Sequence, residues 1–473
     1  MKLSQLLTGV SVIEKLNYAD CDITGVHYNS EKIQPGNIFV AIKGFKTDGH
    51  RYIESAVKKG ASAIVCQVPR EGCSVPQIVV NDSRVAEAQV SANYFGNPSD
   101  KFKLIGITGT NGKTTCTFLV KTILEHAGYK VGLIGTNQNM IGNKVYETGR
   151  TTPDAFELQE LFAVMAEERV DYVVMEISSH ALELSRVYGC RFAVGAFTNL
   201  TQDHLDFHVT MDAYASAKAK LFDMCDAGVV NCDDKYGASF AKEFDLKGYG
   251  IDTQCEYKAE NAVQTQAGVS FDMNGIPYSL NIPGRFSVYN ALCAIGICTE
   301  CGIAPDKIAQ ALRGANGVKG RAEIVPTGTD YTVMIDYAHT PDGIDNILRT
   351  VRGFAKGRVV ILFGCGGDRD NTKRPIMGTI AGELADFCIV TSDNPRTEEP
   401  MNIINMIEPA IKETGTPYVV IENRADAICY ALDNALPDDV IVLAGKGHET
   451  YQILGTGTID FDEREIVKKH LDK

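Results

Sequence analysis

Apolar residues recur along the 473-residue chain in short β-branched runs, separated by longer stretches with a helical repeat. Short apolar runs bounded by turn formers are the pattern of strands buried on both faces. In the first hundred residues, Ile38-Phe39-Val40-Ala41-Ile42, Ala63-Ile64-Val65 and Ile78-Val79-Val80 read as strands. The stretches 52–59 and 84–94 read as helices, which predicts a small α/β unit ending at the breaker run Gly96-Asn97-Pro98-Ser99. From about residue 101 the pattern predicts strands at 103–108, 131–135, 172–177, 194–199 and 227–231. From about 328 it restarts, with strands at 332–336, 358–363, 387–391, 418–421 and 440–444. Strands alternating with helices call for mostly parallel sheets. At roughly 150 residues per domain, the length fits three domains. Expected boundaries are 1–99, 100–327 and 328–473.

The stretch Thr108-Gly109-Thr110-Asn111-Gly112-Lys113-Thr114-Thr115 lies between the strand 103–108 and a helix expected over 116–126. Strand, glycine loop, Lys-Thr and helix form a phosphate cradle. The glycines let backbone N–H groups approach phosphate oxygens, and the helix N-terminus adds a favourable dipole. Lys113 can reach the outer phosphates, and the Thr114 hydroxyl can ligate Mg²⁺. The loop is shorter than the general form, because position 107, where a first glycine would stand, is Ile. The expected fold is therefore α/β: a small N-terminal domain, a central P-loop-type ATPase domain, and a C-terminal Rossmann-like domain.

Charge narrows the function. With 46 basic and 60 acidic side chains the net charge is −14, which disfavours nucleic-acid binding. Fourteen cysteines are scattered without a repeating spacing, as expected of reduced core thiols in the cytoplasm. Cys298-Thr299-Glu300-Cys301 is a lone pair inside a helical run, short of a metal or redox motif. No apolar run approaches the ~18 residues of a membrane span, and 1–16 lacks a signal-peptide pattern.

Polar clusters are expected at the carboxyl ends of the strands, where ligands of parallel sheets bind. They are Thr151-Thr152-Pro153-Asp154, Glu176-Ile177-Ser178-Ser179-His180, Asn199 to His204, and Asn231 to Asp234. Further along stand Asp336 to His339, Gly364 to Arg369, Asp393 to Arg396, and Gly445 to Glu449. Glu176, ending an apolar strand, is placed to hold the Mg²⁺ that Thr114 touches. His204 and His208 stand four apart, but the H-E-x-x-H of a zinc site is absent. Asp203 and His204 better serve a second Mg²⁺ or the substrate. A helix over 215–222 carries Lys218 and Lys220 on different faces, and spacing does not choose between them. Arg369 and Arg396, on loops, offer planar forks suited to substrate carboxylates.

Taken together, these motifs resemble the Mur ligases of peptidoglycan synthesis, and among them the members that add the third residue of the stem peptide. The resemblance runs from Gly109–Thr114 through Thr151–Asp154, Met175–His180 and Asn199–His204. It continues through Pro283–Asn290, Gly320–Glu323, Asp336–His339, Gly367–Arg369, Asp393–Arg396 and Gly445–Glu449. It implies domains for the uridine nucleotide, ATP and the amino acid. It implies that Asn290, Arg321 and Asp336 join Gly109–Thr115 on ATP, and that Thr151, Thr152, Ser178 and Arg186 hold the UDP-N-acetylmuramoyl dipeptide. Ser30 is the expected uridine contact, within Asn29-Ser30-Glu31 where the family shows Asp-Ser-Arg. The resemblance selects Lys218 as a carbamylated lysine, an anionic oxygen ligand that suits Mg²⁺. Two Mg²⁺ ions, held by Thr114, Glu176, His204 and that carbamate, are expected, with Lys113, Lys218 and His204 in catalysis.

The implied reaction is ATP-dependent amide formation through an acyl phosphate, by a monomer in the cytoplasm that binds soluble small molecules and no nucleic acid or membrane. The expected third substrate is meso-diaminopimelate. It differs from lysine by a far-end carboxylate, which calls for a cation. In Asp393-Asn394-Pro395-Arg396, Pro395 stiffens the loop and Arg396 supplies the fork. Arg369 can take the other carboxylate, and Glu449, beyond Gly445, the ammonium. A lysine-adding or other ligase of this fold, such as folylpolyglutamate synthetase, is the alternative enzyme. A nucleotide-dependent switch without catalysis is the alternative outside enzymes, and it would need no amino-acid pocket.

Overall fold

A computed structural model describes every residue except Lys46, Glu147, Gln266 and Lys473. The chain divides into two compact units, each built from discontinuous segments. The first comprises Met1–Thr108, Gly128–Ala196 and Ala217–Gly228, and the second Gly109–Ala127, Phe197–Ser216 and Val229–Lys473. No helix among the described residues is long and apolar enough to cross a membrane.

The first unit opens with a five-stranded sheet in the order Val12–Leu16, Gln77–Val80, Ala63–Cys66, Asn37–Val40, Gly25–His27. Only Val12–Leu16 runs antiparallel to its neighbour. The three central strands are buried at every position. Side chains alternate between faces, so both faces need cover. One core forms around Val26, Ile38, Val40 and Val65, the other around Phe39, Ile53, Ile64 and Val79. The same unit also lays Lys103–Thr108, Tyr172–Glu176 and Val131–Ile134 side by side in parallel. The sequence pattern missed a hairpin, Asn139–Ile141 with Lys144–Tyr146, which extends this sheet.

In the second unit the helix Lys113–His126 packs on Arg285–Glu300 and Pro305–Arg313. The sequence pattern also missed an antiparallel sheet of Glu260–Thr265, Gly268–Met273 and Ile276–Leu280. Its second turn is Asn274-Gly275, with φ of 51° and 76°, a two-residue hairpin signal readable in the sequence. Residues from 320 onward form a six-stranded sheet in the order Glu323–Val325, Thr332–Asp336, Val440–Ala444, Val359–Phe363, Phe387–Val390, Tyr418–Val420. All but Glu323–Val325 are parallel. Pro341–Arg352, Lys373–Leu384 and Pro400–Thr414 cover one face, Arg424–Asp433 and Glu463–Leu471 the other. In register, Asp336 lies opposite Ala444. The loops that follow these parallel strands therefore rise along one sheet edge, where such folds bind ligands.

Three expectations need correction. The P-loop helix begins at Lys113 rather than Cys116. The helix expected over 215–222 is Met211–Ala219, followed by a 3-10 turn over Phe222–Met224, so Lys218 is helical and Lys220 is not. The Thr151–Asp154 cluster does not end a strand. It leads into the helix Ala155–Glu167, with Asp154 at the N-cap.

Candidate functional site

The glycine loop is shaped by close approach. Gly109 has φ of 141°, and a Cβ there would overlap Thr198 Oγ1. Gly112 has φ of 87°, and a Cβ there would stand 2.5 Å from Asn290 Oδ1. Thr198 Oγ1 donates to Asn111 O (2.6 Å), Asn111 N to Asn199 Oδ1 (3.0 Å), and Thr110 N to Asn199 O (2.8 Å). Lys113 Nζ lies over the loop, donating to Gly109 O (3.0 Å) and Thr110 O (2.8 Å). No side chain caps the helix that starts at Lys113. Its first N–H groups and positive dipole end thus suit an anion.

Beside the loop lies a cavity of about 400 Å³ lined by Asn111, Thr114, Thr115, Asn290, Arg321 and Asp336, among others. Burial raises the Asp336 carboxyl above the usual range, opposed by Arg321, and its Oδ2 accepts Ala322 N at 2.7 Å. The Arg321 guanidinium stands 4.7 Å from the Tyr337 ring, and Nη2 donates to Thr114 Oγ1 at 3.2 Å. Its Nε is buried with no hydrogen-bond partner among the described residues, a donor that an anionic ligand can take up. The cavity thus fits a nucleoside triphosphate. Two further acids line it: Asp342, which sequence reasoning left out, and Asp233, expected only as part of a polar cluster at a strand end. Asp342 accepts Asn111 Nδ2 at 2.5 Å. Asp233 accepts Ile251 N, Thr253 N and Tyr289 OH at 2.7, 2.7 and 2.9 Å. Burial works against that carboxylate, but hydrogen bonds from the Thr253 side chain and from Asp252, Ile251 and Thr253 N–H groups hold it down at about 2.

His204 has φ of 54°, and its Nε2 lies 3.4 Å from Asp203 Oδ2. Burial opposes ionisation of Asp203, but His204, His339 and Lys373 together hold it at about 2. The His208 ring is buried and stacks on Tyr214 at 5.0 Å. Among the described residues no cluster of three or more His, Cys, Asp or Glu that could hold a metal ion is assembled. None of the fourteen cysteines is in a disulfide.

In the first unit, Glu176 takes Thr136 N on Oε1 and Thr136 Oγ1 on Oε2, both at 2.9 Å. Thr136 Oγ1 also meets Thr151 Oγ1 at 3.0 Å. Thr152 is fully buried; its hydroxyl donates to Glu176 O (2.9 Å) and accepts Ser178 N (3.0 Å). Ser178 caps the helix Ser179–Glu183. Arg186 donates to Thr152 O (3.0 Å) and pairs with Asp154 (2.9 Å). Thr152, Ser178 and Arg186 are thus brought together, with Thr152 serving as a pin beneath the surface. Lys218 is 1% exposed, whereas Lys220 reaches outward to Glu183 at 2.6 Å. Ser30 is buried on the wall of a second cavity, about 460 Å³, which Arg186 also lines. Asn29 Oδ1 accepts Glu31 N at 2.8 Å, the turn that an aspartate would make there.

In the last sheet Gly366 separates two arginines. A Cβ on it would lie 2.9 Å from Arg396 Nη1 and 3.9 Å from Arg369 Cγ. Arg396 Nη1 donates to Gly367 O (2.8 Å) and Asn394 O (3.3 Å), which aims the fork. Pro395 backs this loop: a Cβ on Gly367 would overlap its carbonyl oxygen. Gly445, with φ of 116°, lets the next loop approach Asp393, whose Oδ2 would lie 2.9 Å from a Cβ there. Lys446, outside the expected set, is fully buried. It donates to Glu449 Oε2 (2.8 Å) and Asn394 Oδ1 (3.0 Å) and stands 3.5 Å from Asp393. Asn394 Nδ2 also donates to Glu449 Oε2, at 2.9 Å. Glu449, expected to face a ligand ammonium, therefore has Oε2 engaged within the protein.

Three family models match in order: "Mur ligase family, catalytic domain" at 22–95, "Mur ligase middle domain" at 107–298, and "Mur ligase, glutamate ligase domain" at 320–447. The chain is 52% identical to the UDP-N-acetylmuramoyl-L-alanyl-D-glutamate–2,6-diaminopimelate ligase of Caldanaerobacter subterraneus, covering 100% of this chain and 99% of the relative. It is 50% identical to the ligase of that name from Clostridium botulinum, covering 95% of each. A solved structure with the same name superposes with a TM-score of 0.68, at 29% identity over 95% of both chains. A MurF structure from Acinetobacter baumannii, 16% identical, shares the fold with a TM-score of 0.68, over 99% of this chain and 98% of that one. The expected three-domain α/β fold is the one these structures share, and the chain belongs to the Mur ligase family.

Proposed function

We propose that this protein is an ATP-dependent, ADP-forming amide ligase that adds meso-diaminopimelate to UDP-N-acetylmuramoyl-L-alanyl-D-glutamate in peptidoglycan precursor synthesis. The observation that carries this reading is the pair Arg369 and Arg396 about Gly366, in a chain about half identical over its length to ligases so named. Lysine would leave the Arg396 fork desolvated and unpaired.

Residues 1–99 would hold the uridine nucleotide, 100–327 ATP, and 328–473 the amino acid. Lys113 and the N–H groups of Gly109–Thr115 would offset charge on the transferring phosphoryl group, with Asn290, Arg321 and Asp336 fixing the nucleotide. Thr151, Thr152, Ser178 and Arg186 would hold the UDP-linked muramoyl dipeptide. Two Mg²⁺ ions would add positive charge there, with Thr114, Glu176, His204 and a carbamate on Lys218 as hard oxygen and nitrogen donors. The burial of Lys218, against the exposed Lys220, supports that choice of lysine.

Phosphate release from ATP plus the UDP-linked dipeptide tests this, with each amine added in turn. Diaminopimelate should drive release and lysine should not. Comparable rates with both amines, or release that needs no amine, would overturn the assignment.

A further inference from the structure

Glu87 lies on the helix Ser83–Tyr94 and lines the cavity that holds Ser30 and Arg186. It is 6% exposed, and its Oε1 is buried with no hydrogen-bond partner among the described residues. The two cations that act on it are engaged elsewhere: Arg84 donates to Lys43 O (3.2 Å), and Arg186 pairs with Asp154 (2.9 Å). The nearby Asp154 is satisfied by Tyr28 OH (3.0 Å) and by Arg150. A buried carboxyl oxygen on a cavity wall with no partner among the described residues is expensive unless a ligand supplies one.

We infer that Glu87 reads the imide edge of the uracil ring, its carboxyl donating to a ring carbonyl and accepting the N3–H. This rests on the reading that the cavity holds the uridine end of the substrate. A neutral carboxyl presents one donor and one acceptor side by side. Within a UDP-linked muramoyl dipeptide, uracil offers the complementary pair, N3–H beside C=O, in one rigid plane. The trans amides point their N–H and C=O in opposite directions, and phosphates and carboxylates only accept. Burial, with the adjacent Asp154 charge, raises the Glu87 carboxyl to about 8 against the pull of Arg84 and Arg186. This shift favours the protonated form, which can donate.

Calorimetric titration of the full-length protein with UDP and with N3-methyl-UDP tests this. In wild type, methylation should weaken binding about tenfold, the cost of one unmade buried pair. Glu87→Leu should weaken UDP by a similar factor and then ignore the methyl group. Glu87→Gln, which keeps one donor and one acceptor, should stay within a few-fold of wild type. ATP binding should be unchanged in both variants, as a check on folding. Equal methylation penalties in wild type and Glu87→Leu overturn the assignment. So does a wild type that binds both ligands alike, which needs no variant. A wild type that binds neither ligand overturns the nucleotide reading of the cavity, and this assignment with it.

Discussion

Replacing Arg396 by alanine separates recognition of diaminopimelate from every other step. The hydrogen bonds of Arg396 come from Nη1, to Gly367 O and Asn394 O, and these aim the guanidinium. Its φ is 55°, a strain that alanine pays equally, so the change adds no backbone cost of its own. What disappears is a charge-assisted fork for the far carboxylate, together with compensation of that carboxylate once it is desolvated. Truncating one member of such a pair costs about 2–5 kcal/mol. At 1.36 kcal/mol per decade that is roughly 30- to 5,000-fold in kcat/KM for diaminopimelate. Lysine brings no carboxylate to lose, so its kcat/KM should hold or rise. A preference of roughly 10⁴ in wild type should therefore shrink to roughly 2- to 300-fold. The assay is phosphate release at saturating ATP and UDP-linked dipeptide, with each amine varied in turn. The KM for ATP, read in parallel, should stay within about twofold. An Arg396→Ala enzyme that still prefers diaminopimelate by the wild-type ratio would refute the role given to this side chain.

Lys113→Ala should cut turnover by about a thousandfold or more, since it removes a cation from the phosphates where charge develops; a normal circular-dichroism spectrum with near wild-type turnover would sink the P-loop assignment. Lys218→Ala should be nearly inactive and regain activity with an added short carboxylic acid, whereas Lys220→Ala, which loses a surface pair with Glu183, should keep most of its activity. The reverse pattern would move the carbamate to Lys220. Arg424 and Glu463 form a fully buried ion pair at 2.8 Å, and Arg424 Nη2 donates to Ala444 O, the last residue of a central strand. Glu463→Leu alone should cost about 3–5 kcal/mol and lower the melting temperature, while Arg424→Met with Glu463→Leu should recover most of it. Equal melting temperatures for single and double variants would mean that the stranded arginine charge is not the cause.

Much of the fold was legible because its signals are local. Strands such as Lys103–Thr108, Thr332–Asp336 and Val440–Ala444 are buried on both faces, so their sequences read as unbroken apolar runs. The half-exposed antiparallel strands Glu260–Thr265 and Ile276–Leu280 carry no such run, and they escaped notice despite the Asn274-Gly275 turn between Met273 and Ile276.

By itself, the sequence determined the glycine loop. A turn followed by a helix start is set by neighbouring residues, so Gly109 to Thr115 carry the shape proposed to cradle phosphate in their order alone. It likewise determined the alternation of strand and helix, and the loops that bear Arg369 and Arg396. Tertiary structure decided what depends on residues far apart. The pair Asn111–Asp342 spans 231 positions, Lys446 joins Asn394 across 52, and Arg321 reaches Thr114 across 207. It also decided between Lys218 and Lys220. Both lysines suit a helix, but the helix stops at Ala219, and packing buries one ammonium-bearing chain while leaving the other in water. Propensity and period act over a few residues, whereas burial and charge pairing are set by which distant segments meet. The chemistry at the loop was therefore written locally, and the partners of each charge were not.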